Sequence, residues 1–235
     1  MNLLTRWQSI EYITSQNFDR RAFDTLNSIM VVPGAIGAFR RDAVREVGMF
    51  TTDTLAEDCD LTIRLLRAGY KIRTCNEALA FTEVPESLEM LIKQRFRWTF
   101  GIMQTFWKHR DMLFSGKRAN LGWVALPNML IFQLILPILS PVVDITLLLS
   151  FFMPKPEVIV ILYFAYYLLD VVISYMAFRF DDEKFTIRDA YNLFLQRILY
   201  RQFLWYVLIK GYLRAIKGEL ALWGILKRTG NVTNV

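Results

Sequence analysis

A chain of 235 residues allows one or two domains, and an apolar share of 54% with positive mean hydropathy exceeds what a soluble globular chain usually carries. The formal charge of +6 would suit a nucleic-acid binder, but no nucleic-acid motif is present. The Lys and Arg residues gather where apolar segments begin, which fits positive-inside membrane topology and an anionic substrate instead.

Cys59 and Cys75 form no CxxC or metal-ligand pattern, so a reduced, cytoplasmic water-facing half is expected. His109 stands alone and reads as an ordinary surface residue. Arg6 and Glu11 interrupt the first dozen residues, so no signal peptide is expected and insertion relies on the later apolar spans.

In chain order, residues 3–26 read as a helix. The apolar run from Ile29 to Phe39, interrupted by Pro33, Gly34 and Gly37, reads as a buried strand broken by a tight turn. Asp42 to Val47 predicts a short helix ending at Gly48. Thr54-Leu55-Ala56-Glu57 fits a capping box that opens a helix whose Leu61, Leu65 and Leu66 share a face and whose C′ residue is Gly69. Strands are expected at Tyr70–Thr74 and Ala78–Val84. Ser87 then caps a long amphipathic helix to about Lys108, suited to lying on a bilayer surface.

Residues 123–152 are uncharged except for Asp144, and about 20 such residues cross a bilayer. Pro127, Pro137 and Pro141 predict an elbow along the interface before this first span turns inward. Val158 to Phe178, with Asp170 its only charge, is the second span. Lys93, Arg95, Arg97, Lys108, Arg110, Lys117 and Arg118 precede the first span, whereas Lys155 alone lies in the turn, so the first half is expected in the cytoplasm. Phe194 to Leu213, carrying Arg197, Arg201 and Lys210, fits an interfacial helix or a third crossing.

Two motifs carry chemistry. In Leu55-Ala56-Glu57-Asp58-Cys59-Asp60, a carboxylate at a helix N-terminus is held ionised by the dipole and free amides, as a general base requires. Read alone, Glu57 is more often a cap than a catalyst. In Gln94-Arg95-Phe96-Arg97-Trp98, Gln94, Arg97 and Trp98 fall at i, i+3 and i+4 on one helix face. A guanidinium can clamp a diphosphate with two bonds and an indole offers a sugar ring a flat apolar floor. The segment alone equally fits a helix anchored to headgroups by Arg and Trp.

Together, in this order, the motifs resemble those of the family-2 processive glycosyltransferases, which include cellulose, hyaluronan, chitin and poly-N-acetylglucosamine synthases. Glu57-Asp58 match the last two residues of that family's Thr-Glu-Asp base motif, with Ala56 in place of Thr, and Gln94-x-x-Arg97-Trp98 matches its interface-helix motif in full. Val31 to Arg40, with Pro33, Gly34 and Ala35 at its turn, is similar to the family's acceptor-side loop, where glycine lets backbone approach the sugar.

The resemblance implies an α/β fold, the carboxy-terminal half of a GT-A glycosyltransferase domain, followed by interfacial and transmembrane helices. The implied parts are the acceptor and base half at 1–84, the interface helix at 85–118, two transmembrane helices at 119–180, and an interfacial or third transmembrane helix with a cytoplasmic-side tail at 181–235. The implied reaction is inverting transfer from a UDP-sugar, N-acetylglucosamine or glucose, to a growing polysaccharide at the cell membrane. Asp58 with Glu57 would supply the base, Gln94, Arg95, Arg97 and Trp98 with the 33–35 loop would bind donor diphosphate and acceptor, and Trp223, Lys227 and Arg228 would lie near a channel or gate.

Family members use Mg2+ or Mn2+, held mainly in the preceding nucleotide-binding half by an Asp-x-Asp motif. Asp58-Cys59-Asp60 has that spacing but coincides with the base motif and is not assigned to metal, so the nucleotide-binding half is expected to be missing and the isolated fragment inactive. The implied partners are a nucleotide-sugar donor, a glycan acceptor, the bilayer, and a separate amino-terminal half or synthase subunits, with no nucleic acid. The competing readings are a non-catalytic membrane assembly subunit and a small transporter, the latter requiring functional Asp144 and Asp170.

Overall fold

The computed structural model describes residues 2–218 apart from Leu79 and Met153. The chain opens as α1 (Leu3–Glu11), passes through widened π turns at Tyr12–Phe18 and continues as α2 (Asp19–Thr25). The Asn2 side chain starts it by accepting the Thr5 N–H at 2.9 Å. Asn27, in the left-handed region at φ 48°, ends it. Its side chain accepts from the Ile72 amide at 2.8 Å and donates to the Tyr70 carbonyl at 3.3 Å. Its carbonyl accepts from the Asn120 side chain at 2.5 Å, so one turn residue ties three segments together.

No strand occurs among the described residues, so the α/β expectation is not met there as a sheet: 29–39, 70–74 and 80–84 run as turns or irregular segments. Several of their amides are satisfied by side chains rather than by a ladder. Val32 N–H donates to Thr62 Oγ1 at 3.0 Å, Ile72 N–H to Asn27, and Thr74 N–H to Asp24 Oδ2 at 3.0 Å.

α3 (Arg41–Glu46) ends before Gly48 at φ +87°, as the sequence suggests. α4 (Glu57–Ala68) stops at Gly69, whose φ of +96° suits a residue without a Cβ. Its start departs from expectation. The N-cap is Ala56, and Thr54 is no cap: its hydroxyl is buried without a hydrogen-bond partner. Instead the Leu55 amide donates to Gln104 Oε1 at 2.9 Å, across to α5 (Leu88–His109). α5 begins as predicted, with Ser87 Oγ accepting the Met90 amide at 3.3 Å.

The contact between α4 and α5 depends on Gly101. A Cβ there would lie 2.6 Å from the Ala56 nitrogen and 2.9 Å from the Leu55 carbonyl carbon, both rigid backbone atoms. Gly101→Ala is therefore expected to force the two helices apart and to destabilise the chain by about 1–3 kcal/mol, read as a lowered thermal midpoint in detergent.

The main core joins Ile29, Met30, Leu61, Ile63, Leu66 and Ile72 to Leu121, Ala125, Leu126 and Met129. The latter four belong to one continuous helical stretch, Asn120–Ser150. It includes α6 (Leu126–Asn128) and α7 (Ser140–Ser150), with π turns at Asn120–Ala125 and Met129–Ile135 and a 3-10 segment at Leu136–Leu139 around Pro137. Proline removes an amide donor and crowds the preceding turn, which accounts for the altered hydrogen bonding. The inner half of this helix completes the body core, while Val142, Leu148 and Leu149 farther out are exposed.

α8 (Pro156–Phe180) follows, with Ile161, Leu162 and Leu168 exposed. Both helices are long and apolar enough to cross a membrane, with 31 and 25 residues. Thr186 and Asp189 form a capping box that starts α9 (Ile187–Leu195), and π turns at Gln196–Tyr200 lead into α10 (Arg201–Ile216). α10 packs along α5 and reaches α7. Arg201 pairs with Asp144, Gln202 donates to Asp144 Oδ2 at 2.5 Å, and Arg197 Nε donates to Asp170 Oδ2 at 2.8 Å. The acid within each apolar helix is thus neutralised from the 187–216 helix.

Candidate active site

Asp58 is the second residue of α4. Its Oδ2 accepts the Gly34 amide at 3.1 Å and its Oδ1 the Cys59 amide at 2.8 Å. The 33–35 turn is closed by the Ile36 amide donating to the Pro33 carbonyl at 3.1 Å. Thr62 fastens the turn to the helix: its hydroxyl donates to the Asp58 carbonyl at 2.6 Å and accepts the Val32 amide. The structure therefore brings Pro33, Gly34 and Ala35 up to the carboxylate picked out by the base motif.

Burial pushes the Glu57 carboxyl above its ordinary range; the charge of Asp58 adds to this, while its own backbone hydrogen bond and the charge of Arg97 oppose it. Arg97 thus lies within electrostatic reach of the α4 N-terminus, and two of the motif-bearing segments converge. Gln94 is buried beside them on α5, its Oε1 without a hydrogen-bond partner. A buried carbonyl left without a donor is costly unless a ligand supplies one.

Arg95 is placed differently. Only 5% exposed, it donates from both terminal nitrogens to the two carboxylate oxygens of Glu11, at 2.7 and 2.8 Å. Its guanidinium lies 4.4 Å from the centroid of the Trp98 ring. Trp223, Lys227 and Arg228 lie outside the described residues.

Two groups escaped sequence reasoning. Arg20 on α2 feels the charge of Asp58; burial lowers its pKa and Asp58 opposes that shift. No spacing signal ties position 20 to position 58. Asp60 is fully buried, and His109, only 3% exposed, bonds its Oδ1 at 2.8 Å, so the lone histidine is not a surface residue. Lys108 pairs with Asp60 at 2.8 Å, Arg64 donates to its Oδ2 at 2.8 Å and Thr51 at 3.1 Å. This cluster locks α4 to the end of α5.

Burial opposes ionisation of Asp60, but the hydrogen bonds from His109, Lys108 and Arg64 outweigh it and hold the carboxyl well below the usual carboxylate range. A depressed folded-state pKa contributes stability that is present above the unfolded value near 4 and is lost as pH falls toward the folded value. Asp60→Asn is expected to cost about 2 kcal/mol at pH 7, because it removes the buried carboxylate that His109, Lys108 and Arg64 share, while Lys108 keeps Asp53 and Arg64 keeps the Val47 and Met49 carbonyls. Thermal unfolding from pH 7 downward should show the difference from wild type narrowing below pH about 4.

Among the described residues no three His, Cys, Asp or Glu side chains are grouped to hold a metal. Asp58 and Asp60 share Asp-x-Asp spacing, but Asp60 is occupied by His109, Lys108 and Arg64, so the pair does not fit a divalent ion and no step is assigned to one.

Residues 1–179 match the family model described as glycosyl transferase family group 2. The chain belongs to this family. A protein named Probable glycosyltransferase YdaM from Bacillus subtilis is 33% identical over 51% of this chain and 28% of its own length. A poly-beta-1,6-N-acetyl-D-glucosamine synthase of Staphylococcus epidermidis is 30% identical over 45% of this chain and 27% of its own. One of Staphylococcus aureus is 32% identical over 43% and 24%. The family-2 chain thus spans about a quarter of the length of these curated relatives. No solved structure matches it significantly. The family match encloses Asp58, the 33–35 turn and the Gln94-x-x-Arg97-Trp98 face, so the convergence described above occurs in a family-2 glycosyltransferase segment.

Proposed function

We propose that this chain forms the acceptor-side part of a membrane glycosyltransferase that transfers a sugar from a UDP-sugar to a growing polysaccharide with inversion. The observation that carries the reading is the Asp58 carboxylate, oriented by the Gly34 and Cys59 amides at the N-terminus of α4 and packed through Gly101 against the helix that bears Gln94, Arg97 and Trp98.

Asp58 takes the proton from an acceptor hydroxyl as its oxygen attacks the anomeric carbon, and the nucleoside diphosphate departs from the opposite face. Arg97 balances the charge that develops on the leaving diphosphate. Trp98 provides the floor on which the acceptor ring is held, and the unpartnered Gln94 carbonyl accepts from a ligand hydroxyl or amide. N-acetylglucosamine is favoured over glucose by the names of the two staphylococcal relatives. The two apolar helices cross the cell membrane, with the Lys- and Arg-rich first half on the cytoplasmic side. The divalent cation expected to accompany the donor has no fitting ligand set among the described residues.

The test is incorporation of radiolabel from a panel of UDP-sugars in membranes holding this chain joined to a family-2 nucleotide-binding half, with Asp58→Asn as the control. Signal from UDP-N-acetylglucosamine that vanishes in the variant supports the reading. Silence in every donor from a folded, inserted protein replaces it with a non-catalytic assembly subunit.

A further inference from the structure

The chemistry around Arg95 does not suit the ligand role that its place in the Gln94–Trp98 motif suggests. Both edge nitrogens face the two Glu11 oxygens, so its bidentate donor set is already engaged. Releasing it toward a diphosphate would leave Glu11 uncompensated in a largely buried site. Glu11 Oε2 also accepts the Tyr200 hydroxyl at 2.7 Å. The Tyr200 ring packs on Trp7 with centroids 5.6 Å apart, and Gln196 donates to the Trp7 carbonyl at 2.7 Å. Three helical segments, at α1, α5 and the 196–200 turns, therefore meet at one carboxylate. The Arg95 guanidinium carbon lies over the Trp98 indole, 4.4 Å from the ring centroid, with Trp98 one helical turn farther along α5.

We infer that Glu11, Arg95 and Tyr200 form a clamp that fixes the plane of Trp98, making Arg95 a positioning residue for the acceptor sugar and not a donor ligand. With the guanidinium over one face, the half-buried indole would offer its other face to a sugar ring, and its tilt would decide where that ring sits relative to Asp58. The 187–216 helix thereby gains a direct connection to the acceptor site through Tyr200. This rests on the proposed transferase reading for the role of Trp98, whereas the clamp itself rests on the contacts.

The experiment uses the chain in lipid nanodiscs with 5-fluorotryptophan incorporated, the Trp98 fluorine line being assigned by its loss in Trp98→Phe. Arg95→Lys, Glu11→Gln and the milder Tyr200→Phe are each expected to shift or broaden that line while leaving Trp107 and Trp123 unmoved. Titration with a β-1,6-linked N-acetylglucosamine oligomer should then show affinity weakened about tenfold in Arg95→Lys. Affinity for UDP, measured on the chain joined to a family-2 nucleotide-binding half, should be unchanged.

A Trp98 line that is unmoved in all three variants overturns the clamp. So does a loss of UDP affinity in Arg95→Lys with oligomer binding intact. If the oligomer fails to perturb Trp98 in the wild-type chain, the acceptor reading fails, while the variants' line positions still judge the clamp. Tyr200→Phe keeps the ring and its packing on Trp7, so the proposal stays testable if the Arg95 or Glu11 variants do not fold.

Discussion

Asp58→Asn is expected to lower sugar transfer by about three orders of magnitude while leaving UDP affinity and the thermal midpoint within error of wild type. Asparagine fills the same volume, and its carbonyl can still accept the Gly34 or Cys59 amide, so the 33–35 turn keeps its anchor. What the variant lacks is a basic oxygen to take the acceptor proton. Initial rates of radiolabel incorporation, measured beside UDP binding, separate the two effects. Retention of more than a tenth of the wild-type rate would remove Asp58 from the role of base. Loss of UDP binding in step with the rate would instead make it a donor contact. Asp58→Glu should recover only a small part of the rate, because an added methylene moves the carboxylate away from the two amides that aim it.

What could be read from sequence here was local. Gly69 as the C-terminal stop of α4, Ser87 as the cap of α5, and the shared face of Gln94, Arg97 and Trp98 each follow from residues a few positions apart, and the first two appear as read. The Thr54 capping box does not form because the helix begins two residues later than such a cap requires, at Glu57 after the Ala56 N-cap, with Asp58 Oδ1 accepting the Cys59 amide and Gln104, nearly fifty residues away, holding the Leu55 amide ahead of it. His109 reads as a surface residue in the sequence because nothing near it there points to Asp60. Arg95 carried the same motif signal as Arg97; only its partner Glu11, 84 residues upstream, distinguishes them. Two of the expected strands, 29–39 and 70–74, are irregular runs in which the Val32, Ile72 and Thr74 amides find side-chain partners, and hydrophobic pattern alone does not tell such a run from a strand.

The same limit governs Asp144 and Asp170. Their position in apolar helices announces a partner, since a lone charge in hydrocarbon is costly, but the sequence does not name it. The structure supplies Arg201 for the first and Arg197 for the second. Asp144→Leu is therefore expected to destabilise the chain by about 3 kcal/mol by leaving Arg201 uncompensated, and Arg201→Leu to act alike. The double replacement should restore most of the loss, because the two leucines meet in an apolar setting. The side chains of this pair are 25% and 22% exposed in the protein alone, so what surrounds them decides the magnitude. Facing water, such a pair is worth about 0–1 kcal/mol and the single variants would be nearly silent. Facing lipid, the full penalty and its rescue should appear in thermal unfolding of the chain in nanodiscs. Near-silent single variants would place α10 on the membrane surface, whereas a large loss with rescue places its first turns within the bilayer beside α7.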